Sequence, residues 1–175
     1  AIQAAYQAWR ISGIVKNISN PRVLEIGGGL GRTAYYSRLF GINDYTIVDI
    51  PISSLAQGDF LGRVLPEKDL SLYGEPGETQ NTNIKLIPTE TFFSSDRKYD
   101  LIINVDSLTE LDMNVAKKYI QKIGEVGTYF LSINHEKNSF TVNSIWKESP
   151  FLNKLYRNPC WLRRGYGEEL SQENN

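Results

Sequence analysis

The chain has 175 residues, 41% hydrophobic and 22% charged, with a formal net charge of −1. These figures suit one soluble globular domain and argue against a broad electrostatic grip on a nucleic-acid backbone or an anionic membrane. Cys160 is the single cysteine, so no internal disulfide can form, and a reducing, cytoplasmic setting is expected. No apolar stretch reaches the roughly 18–20 residues that span a bilayer, and the start, Ala1 to Trp9, lacks the layout of a signal peptide. A start at Ala1 rather than Met leads us to expect a fragment of a longer protein. Within 1–175 the chain reads as a single domain with an N-terminal helix inside residues 1–20.

In chain order, residues 1–17 carry Ile2, Ala5, Tyr6, Trp9, Ile11 and Ile14 mostly at helical spacing. Ser19-Asn20-Pro21 breaks that pattern. A short apolar run, Arg22–Ile26, enters a glycine cluster, and residues 31–40 read as a helix stopped by Gly41. Tyr45–Val48 is a second run, closed by Asp49, with a helix expected from Ile52 to Leu65. Residues 66–83 are polar and rich in proline and glycine, and read as a loop. Ile84–Ile87, Asp100–Val105 and Thr128–Ile133 are further runs, with a helix expected over Met113–Ile123. A short helix over 141–148 and a closing hairpin over 151–171, turning near Asn158-Pro159 or Gly165, complete the chain. Alternating strands and helices predict an α/β fold: a doubly wound, mostly parallel sheet with helices on both faces.

The most informative stretch is Val23-Leu24-Glu25-Ile26-Gly27-Gly28-Gly29-Leu30-Gly31-Arg32. Glycines let the backbone approach a ligand and adopt positive φ, and the helix behind them offers free N–H groups. The spacing separates two cofactor classes. The dinucleotide pattern G-x-G-x-x-G fails from Gly27, because its third position is Arg32; from Gly29 it survives only as Gly29, Gly31 and Ala34. The pattern E-x-G-x-G-x-G is met by Glu25, Gly27, Gly29 and Gly31. Asp49 ends the next strand, 18 residues after Gly31, and its carboxylate can accept hydrogen bonds from both hydroxyls of a cis-diol.

On these residues the chain resembles the class I S-adenosylmethionine-dependent methyltransferases, over roughly residues 20–135. The resemblance implies S-adenosylmethionine as cofactor, held by Glu25, Gly27, Gly28, Gly29 and Gly31, with Asp49 on the ribose hydroxyls and Ile50 beside it. It implies Thr89 and Glu90 near the adenine, although Pro88 makes that stretch unusual, and Asn104 and Val105 near the methionine end. Three further stretches, Ile103–Glu110, Leu131–Glu136 and Trp161–Leu170, resemble the bacterial sugar O-methyltransferases of surface polysaccharide or glycan biosynthesis. That finer resemblance implies a small-molecule acceptor, a sugar, and no nucleic-acid partner.

Methyl transfer from a sulfonium needs acceptor oxygen, methyl and sulfur held in line, and a hydroxyl acceptor benefits from a general base. His135, Asp106 and Glu110 are the candidates, placed just beyond the fourth and fifth long strands. His135 is the only histidine, and histidine as a residue type titrates nearest neutrality. Asp106 can instead bind the methionine amino group, and Glu110 can flank the next helix. Asp106, Glu110 and Asp112 have the oxygen ligands for a divalent cation, but an acidic loop without metal is the favoured reading. Tyr35 and Tyr36 can line the pocket or pack on the sheet. Trp161, Arg163, Arg164 and Tyr166 can meet an acceptor, although a terminal strand completing the sheet is the simpler reading.

Two other functions compete with sugar O-methylation. An N-methyltransferase acting on RNA, DNA or protein loses support because amino-methylating nucleic-acid enzymes usually carry [Asn/Asp]-Pro-Pro-[Tyr/Phe], where this chain has Asn104-Val105-Asp106-Ser107. A non-catalytic S-adenosylmethionine-binding module stays open. The acceptor's identity and the oligomeric state are not written in the sequence.

Overall fold

The computed structural model describes residues 2–75, 84–146 and 152–174. These divide into two compact units, Ala1–Ser95 and Asp96–Asn175. The strands are mostly parallel and alternate with helices, so the α/β class expected from the sequence is observed.

The first unit opens with α1 (Ile2–Ile14). Its buried residues are Ala4, Gln7, Ala8 and Ile11, while Ile2 and Trp9 stay exposed. The helix is therefore as expected, but its inner face is smaller and more polar than the apolar residues alone suggested. Small alanines admit a neighbouring helix, α2 (Arg32–Leu39), against which α1 packs. Thr33 on α2 donates to the Gln7 side chain at 2.6 Å. Gly41 ends α2 as expected, at φ 85°, with Gly41 N–H donating to Arg38 and Ile42 N–H to Ser37, both at 3.0 Å. This double closure meets the last free carbonyls of the helix.

Four parallel strands carry this unit: β1 (Arg22–Ile26), β2 (Asp44–Asp49), β3 (Leu70–Leu72) and β4 (Ile84–Pro88), in the order β3-β4-β2-β1. Strand β3 and the 3-10 turn before it, Glu67–Asp69, lie in the stretch expected to be loop. Three residues are too few for a periodic signal, and β3 exists because β4 offers it an edge. The rest of that expected loop, 76–83, lies outside the described residues. Helix α3 (Pro51–Val64) follows β2, with Pro51 at a first-turn position where its missing N–H costs nothing. Helix α4 (Thr89–Ser94) follows β4 directly and had no counterpart in the sequence reading. In-register pairs Ile26↔Val48 and Asp49↔Pro88 bring the ends of β1, β2 and β4 to one edge.

The second unit pairs β5 (Tyr99–Val105) parallel to β6 (Gly127–His135), joined by α5 (Met113–Val126). Asp112 caps α5, accepting from Asn114 N–H at 2.8 Å. Its inner face is Ala116, Tyr119, Ile120, Ile123 and Val126. After α6 (Val142–Trp146), the closing hairpin is present as β7 (Leu152–Pro159) and β8 (Tyr166–Glu173). Strand β8 runs antiparallel to both β6 and β7. Gly165, at φ 84°, sits in the turn. Residues 147–148 of the expected short helix and residue 151 of the expected hairpin lie outside the described residues.

A buried ion pair ties β2 to β4: Lys85 Nζ lies 3.0 Å from Asp44 Oδ1, with both side chains almost fully enclosed. Removing one member strands the other charge in the core. We expect Lys85→Met to lower the unfolding free energy by about 3–5 kcal/mol, read as a shifted midpoint in urea; a shift near zero would show that Asp44 finds compensation elsewhere.

Candidate functional site

In the first unit the glycine turn has the backbone the sequence demanded. Gly27, Gly29 and Gly31 have φ of 73°, 56° and 78°, a region that other residues enter only with strain. Gly28 has negative φ but no room: a β-carbon there would stand 2.6 Å from Ile47 Cγ2 and 3.2 Å from Glu25 Oε2. Gly27 N–H donates to Val48 at 2.9 Å, which holds the turn against the end of β2. Gly31 is the N-cap of α2, and no side chain caps that helix start. Its first N–H groups are thus available to an anionic or polar ligand.

Asp49 stands at the end of β2, half-buried. Its Oδ1 accepts from Ile50 N–H at 2.8 Å and its Oδ2 from Gln57 Nε2 at 2.7 Å. Gln57 also donates to the Gly29 carbonyl at 3.1 Å. Ile50 is exposed beside Asp49. Thr89 and Glu90 form the first turn of α4 beyond the end of β4, Thr89 half-buried and Glu90 exposed. The edge described by the strand register therefore gathers the glycine turn, Asp49, Ile50, Thr89 and Glu90. Tyr35 meets Tyr36 and Phe60 edge-on, so it packs within an aromatic group.

Glu25 occupies a different place from that expected. It is 3% exposed, beneath the turn, and accepts from Tyr45 Oη at 3.0 Å. It supports the turn from inside and presents no open surface to a ligand. Burial pushes its carboxyl from 4.5 up to about 7, against the lowering effect of its Tyr45 and Thr33 hydrogen bonds, with Asp49 adding repulsion. Burial, and then Glu25, in turn hold the Tyr45 phenol well above its usual range.

In the second unit Asn104 is fully buried. Its Oδ1 accepts from Asn134 Nδ2 at 2.8 Å and from Leu108 N–H at 3.4 Å, and its Nδ2 donates to Ser107. The Asn104 amide joins β5 to β6 and to the following turn. Val105 is half-buried at the strand end. Asp106 has φ 67°, uncommon for a residue other than glycine, and its carboxylate pairs with Arg163. The Arg163 guanidinium also lies 3.6 Å from the centroid of the Tyr166 ring and donates to Tyr166 Oη. Burial first, and then Asp106, raise the Tyr166 phenol above its usual range despite Arg163. Glu110 is exposed at the end of a 3-10 turn, Leu108–Glu110.

His135 pairs with Tyr166 across β6 and β8, and their rings meet edge to face at 4.9 Å. His135 Nδ1 accepts from Lys137 N–H at 3.0 Å. In the neutral ring this bond puts the proton on Nε2, making that nitrogen a donor. The contact of Tyr166 with His135 was not read from the sequence, because strand register brings the two together from distant parts of the chain. Trp161 is 81% exposed in the hairpin turn. A cavity of about 250 Å³ is lined by Glu136, Arg157, Asn158, Pro159, Gly165, Tyr166 and Gly167. Arg157 is paired there with Glu136 and Glu169. Asp112 is engaged as a helix cap and Asp106 by Arg163, and no group of three His, Cys, Asp or Glu able to hold a metal occurs among the described residues.

Glu25 makes stability depend on pH. Its folded value lies above its ordinary one, so between 4.5 and about 7 the folded protein keeps a proton that the unfolded chain gives up. Stability from this group is full below 4.5 and is lost as pH rises through about 7. At roughly 1.4 kcal/mol per pH unit the loss is about 3 kcal/mol. Urea midpoints across that window should fall in the native protein and stay flatter in Glu25→Gln; parallel profiles would show that Glu25 does not titrate there.

No family model and no curated protein matches the chain. Solved structures do. Magnesium protoporphyrin IX methyltransferase from Synechocystis, determined with bound S-adenosylmethionine, is 16% identical and aligns over 99% of this chain and 82% of its own, with a TM-score of 0.68. Mitomycin 7-O-methyltransferase is 14% identical over 98% of this chain and 54% of its own, at 0.67. An rRNA methylase from Escherichia coli is 15% identical over 95% and 62%, at 0.64. The named acceptors of those proteins differ widely, while the architecture is shared. The chain has the fold of the class I S-adenosylmethionine-dependent methyltransferases.

Proposed function

We propose that the protein is an S-adenosylmethionine-dependent methyltransferase acting on a hydroxyl of a sugar or glycan-linked small molecule. The observation that carries the cofactor reading is the glycine turn with its three positive-φ residues beside Asp49. Each Asp49 oxygen takes one donor from the protein and keeps lone-pair capacity for a ribose hydroxyl. The uncapped start of α2 suits a polar or anionic end of the same ligand. When bound, the cofactor supplies an electrophilic methyl group on a sulfonium. The protein's task is to hold an acceptor oxygen in line with it and to receive the hydroxyl proton.

The acceptor reading draws on the second unit. The cavity beside Tyr166 has a largely apolar lining next to the Glu136–Arg157 ion pair, a setting in which the face of a sugar ring can pack. Its charges compensate one another, which favours an uncharged ligand. A net charge of −1 gives no support to a nucleic-acid acceptor. No helix among the described residues is long and apolar enough to cross a membrane.

Calorimetry with S-adenosylmethionine, S-adenosylhomocysteine and NAD tests the cofactor. The first two should bind, and NAD far more weakly; tighter NAD binding would sink the assignment. Asp49→Ala should weaken cofactor binding by about 1–3 kcal/mol, the scale for losing a charged hydrogen-bond partner.

For the proton, His135 remains the first candidate, with Asp106 and Glu110 behind it. To act as a base His135 must release Lys137 N–H and use Nδ1. His135→Ala should then lower turnover by about 10²–10⁴-fold, and His135→Gln should do the same. If His135 acts through its Nε2 donor instead, the glutamine variant will keep most of the activity that alanine loses. Near-normal turnover in both variants would move the role to Asp106 or Glu110.

A further inference from the structure

Gln57 is a buried polar residue of α3. It sits midway along α3 with no exposed surface, yet its amide is polar at both ends. Nε2 spends its two protons on the Gly29 carbonyl at 3.1 Å and Asp49 Oδ2 at 2.7 Å. The reverse amide orientation would set an oxygen against two acceptors, so chemistry fixes this one. Oε1 is buried and has no hydrogen-bond partner among the described residues. A buried carbonyl without a partner is costly, and an apolar side chain of similar length would avoid the cost. The structure keeps the amide nonetheless, and among the described residues it donates to the turn and the strand-end acid.

We infer that Gln57 is a positioning residue for cofactor recognition: it locks the Asp49 carboxylate to the glycine turn in the one orientation that offers both oxygens to a cis-diol. The inference rests on the cofactor reading above. Ile50 N–H holds Oδ1 and Gln57 holds Oδ2, so neither oxygen can rotate away without losing a donor. Glu25 adds electrostatic repulsion toward Asp49, and the Gln57 amide donates to the same carboxylate. Without Gln57, Asp49 keeps its position in sequence but loses the donor that sets its plane, and the Gly29 carbonyl is released at the same time. Discrimination for an intact ribose should therefore depend on a residue that does not itself touch the sugar.

Calorimetry with S-adenosylhomocysteine and its 2′-deoxy and 3′-deoxy analogues tests this. In the native protein, deleting either hydroxyl should weaken binding about 10- to 100-fold, the range for a hydrogen bond to a charged group. In Gln57→Met the penalty should shrink to about threefold or less, because the carboxylate no longer holds both lone pairs in place. A merely structural role would weaken all three ligands equally and leave the ratio unchanged, which would overturn the inference. In the native protein, NMR of the Gln57 side-chain amide gives a check independent of folding of the variant. Its two proton signals should shift on adding S-adenosylhomocysteine and shift less with the deoxy analogues. Equal shifts for all ligands, or none, would also overturn it. Failure of S-adenosylhomocysteine to bind the native protein would overturn the cofactor reading itself; binding with an unchanged ratio would overturn only the role of Gln57.

Discussion

The first unit depends on one close approach: the backbone at Gly28 lies so near β2 that any β-carbon would collide with Ile47. β1 and β2 pair in register up to Ile26 and Val48, and the chain leaving β1 turns against the end of β2, where Gly27 N–H donates to Val48. Gly28 permits that passage, and the positive φ of Gly27, Gly29 and Gly31 bends the chain into α2 immediately afterwards. The same crowding brings Glu25 under the turn and leaves it no water. A shallower turn would spare the burial of Glu25, but it would also move the Gly29 carbonyl out of reach of Gln57.

Polar groups beneath that turn are arranged as supports. Glu25, Tyr45, Thr33 and Gln7 make hydrogen bonds inside the unit and link the end of β1 to β2, α2 and α1. Asp49 and Gln57 do the same at its rim. Buried polar groups demand definite partners, whereas apolar packing tolerates small rotations. A turn resting on such a network keeps one geometry.

The second unit is organised by the hairpin. Pairing β8 against β6 sets Tyr166 opposite His135 and Gly167 opposite Asn134, and the turn between β7 and β8 delivers Arg163 to Asp106. Asp106 sits in a conformation that few residues adopt, with its N–H on the Ile133 carbonyl at 3.2 Å and its carboxylate on Arg163. Strained, charge-paired residues of this kind cluster where a protein handles a substrate.

Most strands and helices were legible because their apolar runs exceed the length at which period and burial give a signal, and because Gly41, Pro51 and the glycine turn mark their limits chemically. The glycine turn was legible for the same reason: the spacing of Gly27, Gly29 and Gly31 constrains local backbone, and Asp49 closes the next strand. Four things needed the tertiary structure. Strand β3 is too short to have a pattern and is defined by its neighbour. The burial of Glu25 and Asn104 comes from packing of distant segments around both. Gln57 looked like an ordinary helix residue, and only the packing of α3 in this unit places its amide between Gly29 and Asp49. The donor state of His135 depends on a turn to Lys137 that no residue type announces. Local sequence determines conformations that one glycine or one proline can impose; which polar atoms end up buried, and on what partner, is decided by contacts between segments far apart in the chain.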